Sequence, residues 1–113
     1  MKDNLKKAFQ RQIKDARMLI LDNKLEEAFK SLEKAHILGQ KYVIPHLISH
    51  LYMLRIAVIK KDYKEVIGQL LRIPLGIIGS LIGIVPTGNT GGSNVSALKK
   101  MEIPEELKKI LNS

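Results

Sequence analysis

The stretch from Ile44 to Lys60 constrains the fold most, because it is apolar on nearly every side of a helix. It reads IPHLISHLYMLRIAVIK, and a helix that is hydrophobic all round is normally buried in its protein. We therefore expect it to be the most buried helix of a small helical domain, wrapped by its neighbours. It also carries His46 and His50, two of the 3 histidines in the chain.

Residues on both sides of this stretch predict further helices. Apolar side chains recur at helical spacing over Leu5–Leu21 and again over Lys24–Leu38. Between these segments, Asn23 is expected to cap the second helix, with Glu26 completing a capping box. Gly39 is expected to end that helix, because glycine readily adopts the left-handed conformation of helix C-termini.

The fourth helix is expected to begin at Asp62, again with a glutamate three residues later. Its buried side is predicted to consist of Val66, Ile67, Leu70 and Ile73. The two helix junctions lie 39 residues apart and resemble those of a tetratricopeptide pair, whose usual period is roughly 34 residues. This resemblance implies stacked helical hairpins and no particular function.

An apolar segment rich in glycine follows the hairpins. Ile73–Pro86 reads IPLGIIGSLIGIVP, which is shorter than the about 20 residues that a membrane-spanning helix needs. We interpret it as a short buried helix whose glycines allow close packing. Attachment to a membrane surface is the alternative, but the segment lacks the charged face of an interfacial helix.

The sequence thus predicts an all-α fold in a single domain over residues 1–113. Two stacked antiparallel helical hairpins, tetratricopeptide-like, are expected over residues 4–73. The apolar segment and a glycine-rich loop follow over residues 74–98. Pro104 is well placed to open a short terminal helix over residues 103–112.

Charge and composition argue against several classes of protein. The net charge of +8 is spread along the chain and aromatics are only 4%, whereas nucleic-acid-binding proteins usually concentrate their charge on one face. Nucleic acid is therefore not an expected partner. The absence of cysteine excludes disulfides, thiolate metal sites and cysteine nucleophiles. The charged segment Met1–Lys7 is unlike a secretory signal peptide, so a cytoplasmic location is expected.

The histidines form the first candidate site. His46 and His50 are four residues apart and project from the same face of a helix. His36 lies near the end of the preceding helix, where the turn brings it towards them, and Glu33 precedes it by one turn. Three imidazoles with a carboxylate or water suit Zn²⁺, Ni²⁺ or Fe²⁺. The alternative is a histidine cluster satisfied by ordinary hydrogen bonds.

The glycine-rich loop forms the second candidate site. Its backbone N–H groups and short polar side chains could cradle a phosphate, although neither a Walker motif nor a dinucleotide fingerprint is present. The candidate ligand-binding residues are Gly88, Asn89, Thr90, Gly91, Gly92, Ser93 and Asn94. The alternative is a loop in which these side chains satisfy local backbone groups.

Several blocks together carry a family resemblance: AHILGQKYVIPHLISHLYMLRIA, GQLLRIP, VPTGNTGGSNVSAL and MEIPEEL. They resemble a small bacterial family, domain of unknown function 3703, over most of the chain. The resemblance implies a short, stand-alone bacterial protein. It brings no activity, substrate or catalytic residue.

Two functions are compatible with these patterns. The first is a small cytoplasmic accessory protein that binds a protein or peptide partner, or a second copy of itself through Ile77–Val85. The second is a histidine-based metal protein, which would be a sensor, a carrier or a hydrolase. No convincing set of catalytic residues is visible, so an enzyme is the less expected outcome.

Overall fold

A computed structural model describes residues 1–113, and all of its regular structure is helical. The all-α prediction is confirmed. The helices are α1 (Asp3–Leu21), α2 (Leu25–Gly39), α3 (Val43–Lys60), α4 (Tyr63–Ile82) and α5 (Glu105–Leu111).

The helices stack in chain order as two antiparallel hairpins. α1 packs on α2, α2 on α3 and α3 on α4, while α5 docks against α1 and α2. One core cluster lies between the hairpins and contains Ala16, Ile20, Ala28, Leu32, Met53 and Ile56. A second cluster joins α5 to the rest through Leu107, which packs with Leu5, Ile37 and Leu38.

The prediction that α3 is the most buried helix is wrong. α2 is more deeply buried, because it lies between α1 and α3 and also contacts α5. α3 buries its histidine face and leaves Leu51, Val58 and Ile59 largely exposed. Its strongly apolar sequence therefore supplies both a packed face and an apolar surface.

The predicted helix boundaries are partly correct. Asp62 caps α4 by accepting a hydrogen bond from the backbone N–H of Glu65. Asn23 does not cap α2, because it adopts a left-handed turn conformation and the helix begins at Leu25. Gly39 ends α2 without a left-handed conformation. Its lack of a side chain is needed instead for close contact with α1 and α3.

The largest correction concerns α4. It is one helix of 20 residues that continues through Pro74, so the predicted break near Ile73 and the separate buried helix are both wrong. Ile67 and Leu70, predicted to be buried, are more than half exposed.

The polarity of α4 is reversed relative to an ordinary surface helix. Its buried residues are Glu65, Gly68, Gln69 and Ser80. Its outward side, here called the outer face of α4, consists of Ile67, Leu70, Leu71, Leu75, Ile78, Leu81 and Ile82, all largely exposed. The polar side chains point inward because they contact the histidines of α3 and the loop that follows α4.

Two helices, α3 and α4, are long and apolar enough to cross a membrane by length and composition. Such helices also occur in the cores of soluble proteins, and one or two of them are weak evidence for a membrane span. α4 is the more exposed of the two.

Candidate metal site

The three histidines meet at one point inside the molecule. The Nε2 atom of His36 lies 2.9 Å from that of His46 and 3.1 Å from that of His50. The Nε2 atoms of His46 and His50 are 3.2 Å apart. All three side chains are buried. The structure therefore brings together the three histidines that the spacing singled out.

Helix geometry explains the convergence. His46 and His50 lie one turn apart at the start of α3, so both face α2 and α4. His36 lies in the last turn of α2, and a short connection reverses the chain between the two helices. The α2–α3 connection therefore places the end of α2 beside the start of α3.

The tautomer of His50 follows from its partner on α4. The Nδ1 atom of His50 lies 2.6 Å from Oε1 of Gln69. The amide nitrogen of Gln69 donates to the Glu65 carboxylate and to the carbonyl oxygen of Gly91, both of which only accept. Gln69 must therefore present its oxygen to the imidazole, so His50 carries its proton on Nδ1.

The tautomer of His46 is set in the same way. Its Nδ1 atom lies 2.8 Å from the Ser80 hydroxyl oxygen. That hydroxyl donates its only hydrogen to the backbone carbonyl of Gln40 at 2.8 Å. Ser80 can then only accept from the ring, which places the proton of His46 on Nδ1.

His36 obtains its acceptor from the glycine-rich loop. Its Nδ1 atom lies 2.7 Å from the backbone carbonyl oxygen of Asn89, which can only accept. With Nδ1 protonated in all three neutral rings, each Nε2 atom bears a lone pair and no hydrogen. These nitrogens cannot donate to one another, so a cation is the group that best satisfies all three.

The spacing of the nitrogens suits a metal ion. With metal–nitrogen bonds of about 2.1 Å, it gives angles at the metal of about 87–99°. These angles are closer to those of an octahedral face than to those of a tetrahedron. Acceptors that fix ring orientation and tautomer are the usual support of histidine ligands in metalloproteins.

Burial keeps the imidazoles neutral. It lowers the pKa of His46 to about 4, with the neighbouring His50 adding to the effect. Burial likewise places the pKa of His36 well below its usual value, and the other two histidines and Arg72 lower it further. The pKa of His50 is lowered by burial despite its hydrogen bond to Gln69. Neutral rings are the form that binds metals.

Two glycines make room for the rings. A Cβ atom on Gly76 of α4 would lie 3.0 Å from the His46 ring. A Cβ atom on Gly91 would lie 2.6 Å from the His36 ring, and Gly91 also has a φ of +90°. Larger residues at these positions would displace the imidazoles, so both glycines serve the site.

The glycine-rich loop supports the histidines from within. The N–H of Gly88 donates to Gln40, that of Gly91 to the side chain of Asn89, and that of Ser93 to Glu65. The buried Asn89 side chain also donates to two carbonyls farther along the loop. These three N–H groups already have protein acceptors, so the geometry gives no support to the predicted phosphate cradle.

Glu33 does not join the histidines. The group of close ligand atoms consists of His36, His46 and His50 only. Glu33 lines a different pocket, together with Lys30 and Lys60. Burial raises the pKa of its carboxyl group, partly offset by the charge of Lys30. The predicted carboxylate ligand is therefore absent from the cluster.

The imidazoles form one wall of a cavity of about 110 Å³. The remaining lining comes from α4, from the chain that follows it, and from the loop. It includes Arg72, Leu75, Gly76, Ile84, Val85 and Leu98. A metal held by the three nitrogens would have a neighbouring space for a further ligand.

The family comparison agrees with the resemblance carried by the sequence blocks. A family model described as a protein of unknown function (DUF3703) matches residues 3–111. The chain belongs to this family. The match includes the three histidines, the loop and α5. No curated protein and no solved structure matches the chain. The tetratricopeptide likeness and the bacterial origin stay predictions.

Sequence reasoning missed the supporting residues that α4 contributes in this DUF3703 protein. Glu65, Gln69, Arg72, Gly76 and Ser80 recur at intervals of three or four residues through an otherwise apolar helix. That polar and small stripe is the signal that could have revealed them. The apolar residues of α4 outnumber these polar and small residues, so hydrophobic periodicity predicts the apolar side as the buried one.

Replacing Gln69 with leucine is expected to weaken metal binding by about 10–100-fold, the usual effect of losing a partner behind a ligand. The His50 ring would lose the acceptor that holds its proton on Nδ1. Titration of metal-free protein with Zn²⁺ against a competing chelator measures the change. Ser49→Ala is the control, because Ser49 is buried on α3 beside His50 but bonds only to Pro45. Equal affinity of Q69L and S49A would contradict the role given to Gln69.

Proposed function

We propose that this protein binds a divalent transition-metal ion, Zn²⁺ in the first instance, through the Nε2 atoms of His36, His46 and His50. The observation that carries the proposal is the convergence of three nitrogen lone pairs whose rings donate their hydrogens elsewhere. Imidazole nitrogens also suit Ni²⁺ and Fe²⁺. Because all three ligands come from the adjacent ends of α2 and α3 in one chain, the site is part of the fold and needs no partner chain.

The site is of the open type. Structural zinc sites usually have four protein ligands, whereas three protein ligands leave a position for water or another exchangeable group. No carboxylate lines the adjoining cavity, so no side-chain carboxylate is placed there as a general base. This favours a carrier or sensor over a hydrolase.

Elemental analysis of protein purified without a histidine tag tests the proposal. We expect close to one equivalent of metal per chain after reconstitution and removal of free ions. The ligand-field bands of a Co²⁺-loaded sample would report the coordination number and geometry of the bound ion. His46→Ala is expected to abolish binding with helix content retained, measured by circular dichroism. A wild-type chain that retains no metal after reconstitution with Zn²⁺, Co²⁺ and Ni²⁺ would refute the proposal.

Self-association is a second candidate function, supported by the outer face of α4. This face extends along α4 from Ile67 to Ile82 and contains no charged side chain, so charge complementarity with a polar partner is not available to it. Exposed apolar patches of this kind often mark interfaces. A second copy of the chain offers a matching neutral surface, and an accessory role in the cytoplasm is the function proposed for such a dimer.

Substituting lysine for Leu71 and Ile78 is expected to convert a dimer into a monomer, because both side chains lie on the outer face and are more than half exposed. Multi-angle light scattering coupled to gel filtration measures the change in mass. Met18→Lys is the control, since Met18 is equally exposed but lies on α1. A wild-type protein that stays monomeric at high concentration contradicts the candidate, and flotation with neutral liposomes would then indicate lipid as the occupant.

A further inference from the structure

The charges around the histidine site do not balance once a divalent metal is bound. The ligands are three neutral imidazoles, so they leave the metal charge uncompensated. The charged groups that act on the rings are Arg72, whose charge lowers the pKa of His36 and His50, and Glu65, whose charge raises that of His50. The Glu65 carboxylate is separated from His50 by the Gln69 side chain. The positive charge of the metal and of Arg72 together therefore exceeds the negative charge of the single nearby carboxylate.

Hydrogen bonds hold the Arg72 side chain in place but leave one of its donors without an acceptor. Its Nη1 donates to the carbonyl of Gly68 at 3.1 Å and its Nη2 to the carbonyl of Val95 at 2.7 Å. These bonds fix the guanidinium between α4 and the loop, at the wall of the cavity that the histidines share. Its Nε–H is buried and has no acceptor. A buried donor without a partner is costly, and here it belongs to a cation beside the open metal position.

The cavity limits the size and character of any ligand. Its volume of about 110 Å³ corresponds to about four water molecules at roughly 30 Å³ each. Leu75, Ile84, Val85 and Leu98 give it apolar walls. A small monoanion fits these conditions better than a strongly hydrated dianion such as phosphate, since burying two charges costs more than burying one.

We propose that a small carboxylate-type anion occupies the fourth coordination position, with one oxygen on the metal and the other paired with Arg72. The inference rests on the metal site proposed above and names the ligand class of its open position. Arginine suits this role because its guanidinium group is always charged and carries several N–H donors. The Nε–H of Arg72, which has no partner in the protein, is a donor left for this contact.

Titration of the Co²⁺-loaded full-length protein with sodium acetate tests the proposal. The sample is first freed of unbound cobalt. We expect acetate to shift the visible absorption bands with saturation, and sodium bicarbonate to compete with it. Phosphate at the same concentration is expected to have a weaker effect.

Arg72→Met is expected to weaken acetate binding at least tenfold while cobalt affinity stays equal or rises, because a repelling cation is removed. Arg72→Lys keeps the charge but loses the planar donors, so its acetate affinity should be intermediate. It also tests the proposal if the methionine variant does not fold. Arg55→Lys, at an exposed position on α3, is the control and should match wild type.

The outcomes separate the anion from the metal. A chain that takes up no cobalt fails the metal proposal itself. A chain that binds cobalt but shows no saturable response to acetate or bicarbonate refutes only the anion. Stronger binding of phosphate than of acetate, or acetate affinity unchanged in both Arg72 variants, also overturns it.

Discussion

Zn²⁺ is expected to raise the melting temperature of the metal-free protein by about 10 °C when the free ion is at about 100 times its dissociation constant. At that ratio binding adds about 2.7 kcal/mol to the free energy of unfolding, and a domain of this size gains about 4 °C per kcal/mol. The large effect arises because the ligand atoms, which converge in the fold, are separated in the unfolded chain. Differential scanning fluorimetry with and without a chelator measures it.

Single substitutions assign this effect to the site. His36→Ala, His46→Ala and His50→Ala should each reduce zinc affinity by more than about 100-fold, exceeding the loss expected for a supporting residue. Glu33→Gln should keep the full zinc-induced rise, because Glu33 lies in a separate pocket. A rise that survives in all three alanine variants would mean that zinc binds elsewhere.

Acid is expected to destabilise the metal-free protein well above the pH at which most carboxylates titrate. The pKa of folded His46 is about 4, whereas an unfolded histidine titrates near about 6.5. Between these values the unfolded chain binds more protons, so stability falls as the pH falls. From about pH 7 to about pH 5, His46 alone should cost about 2 kcal/mol. His36 and His50 act in the same direction.

Urea unfolding at several pH values measures this slope. Above about pH 7.5 the histidine contribution should be flat, because the rings are then neutral in both the folded and the unfolded state. Ser49→Ala should retain the dependence of the free energy of unfolding on pH. His46→Gln should reduce this dependence by the amount that one bound proton contributes. A free energy of unfolding that does not change over this interval would show that the folded rings accept protons freely.

The histidine site was predictable because its signal is local. Two histidines four residues apart must share a helix face, and the short turn between α2 and α3 brings the third close to them. The acceptors behind the rings were not predictable in the same way. Gln69, Ser80 and Asn89 lie 19 to 53 residues from the histidines they contact, and the stacking of α4 and the loop decides those pairings.

The burial of α4 was predicted wrongly for a related reason. Hydrophobic periodicity assumes that apolar residues face the interior. In α4 the interior contains imidazoles and loop carbonyls that require polar partners, so Gln69 and Ser80 face inward and Leu71 and Ile78 do not. The prediction for Glu33 was wrong because a residue one helical turn before His36 lies near its backbone but does not reach its Nε2 atom.

The carbonyl of Asn89 has a consequence for the order of events during synthesis. A nascent chain that has emerged only as far as α4 holds all three histidines, yet His36 still lacks the acceptor that selects its proton position. A metal bound as proposed would therefore reach its final coordination only after the loop that carries Asn89 has emerged from the ribosome.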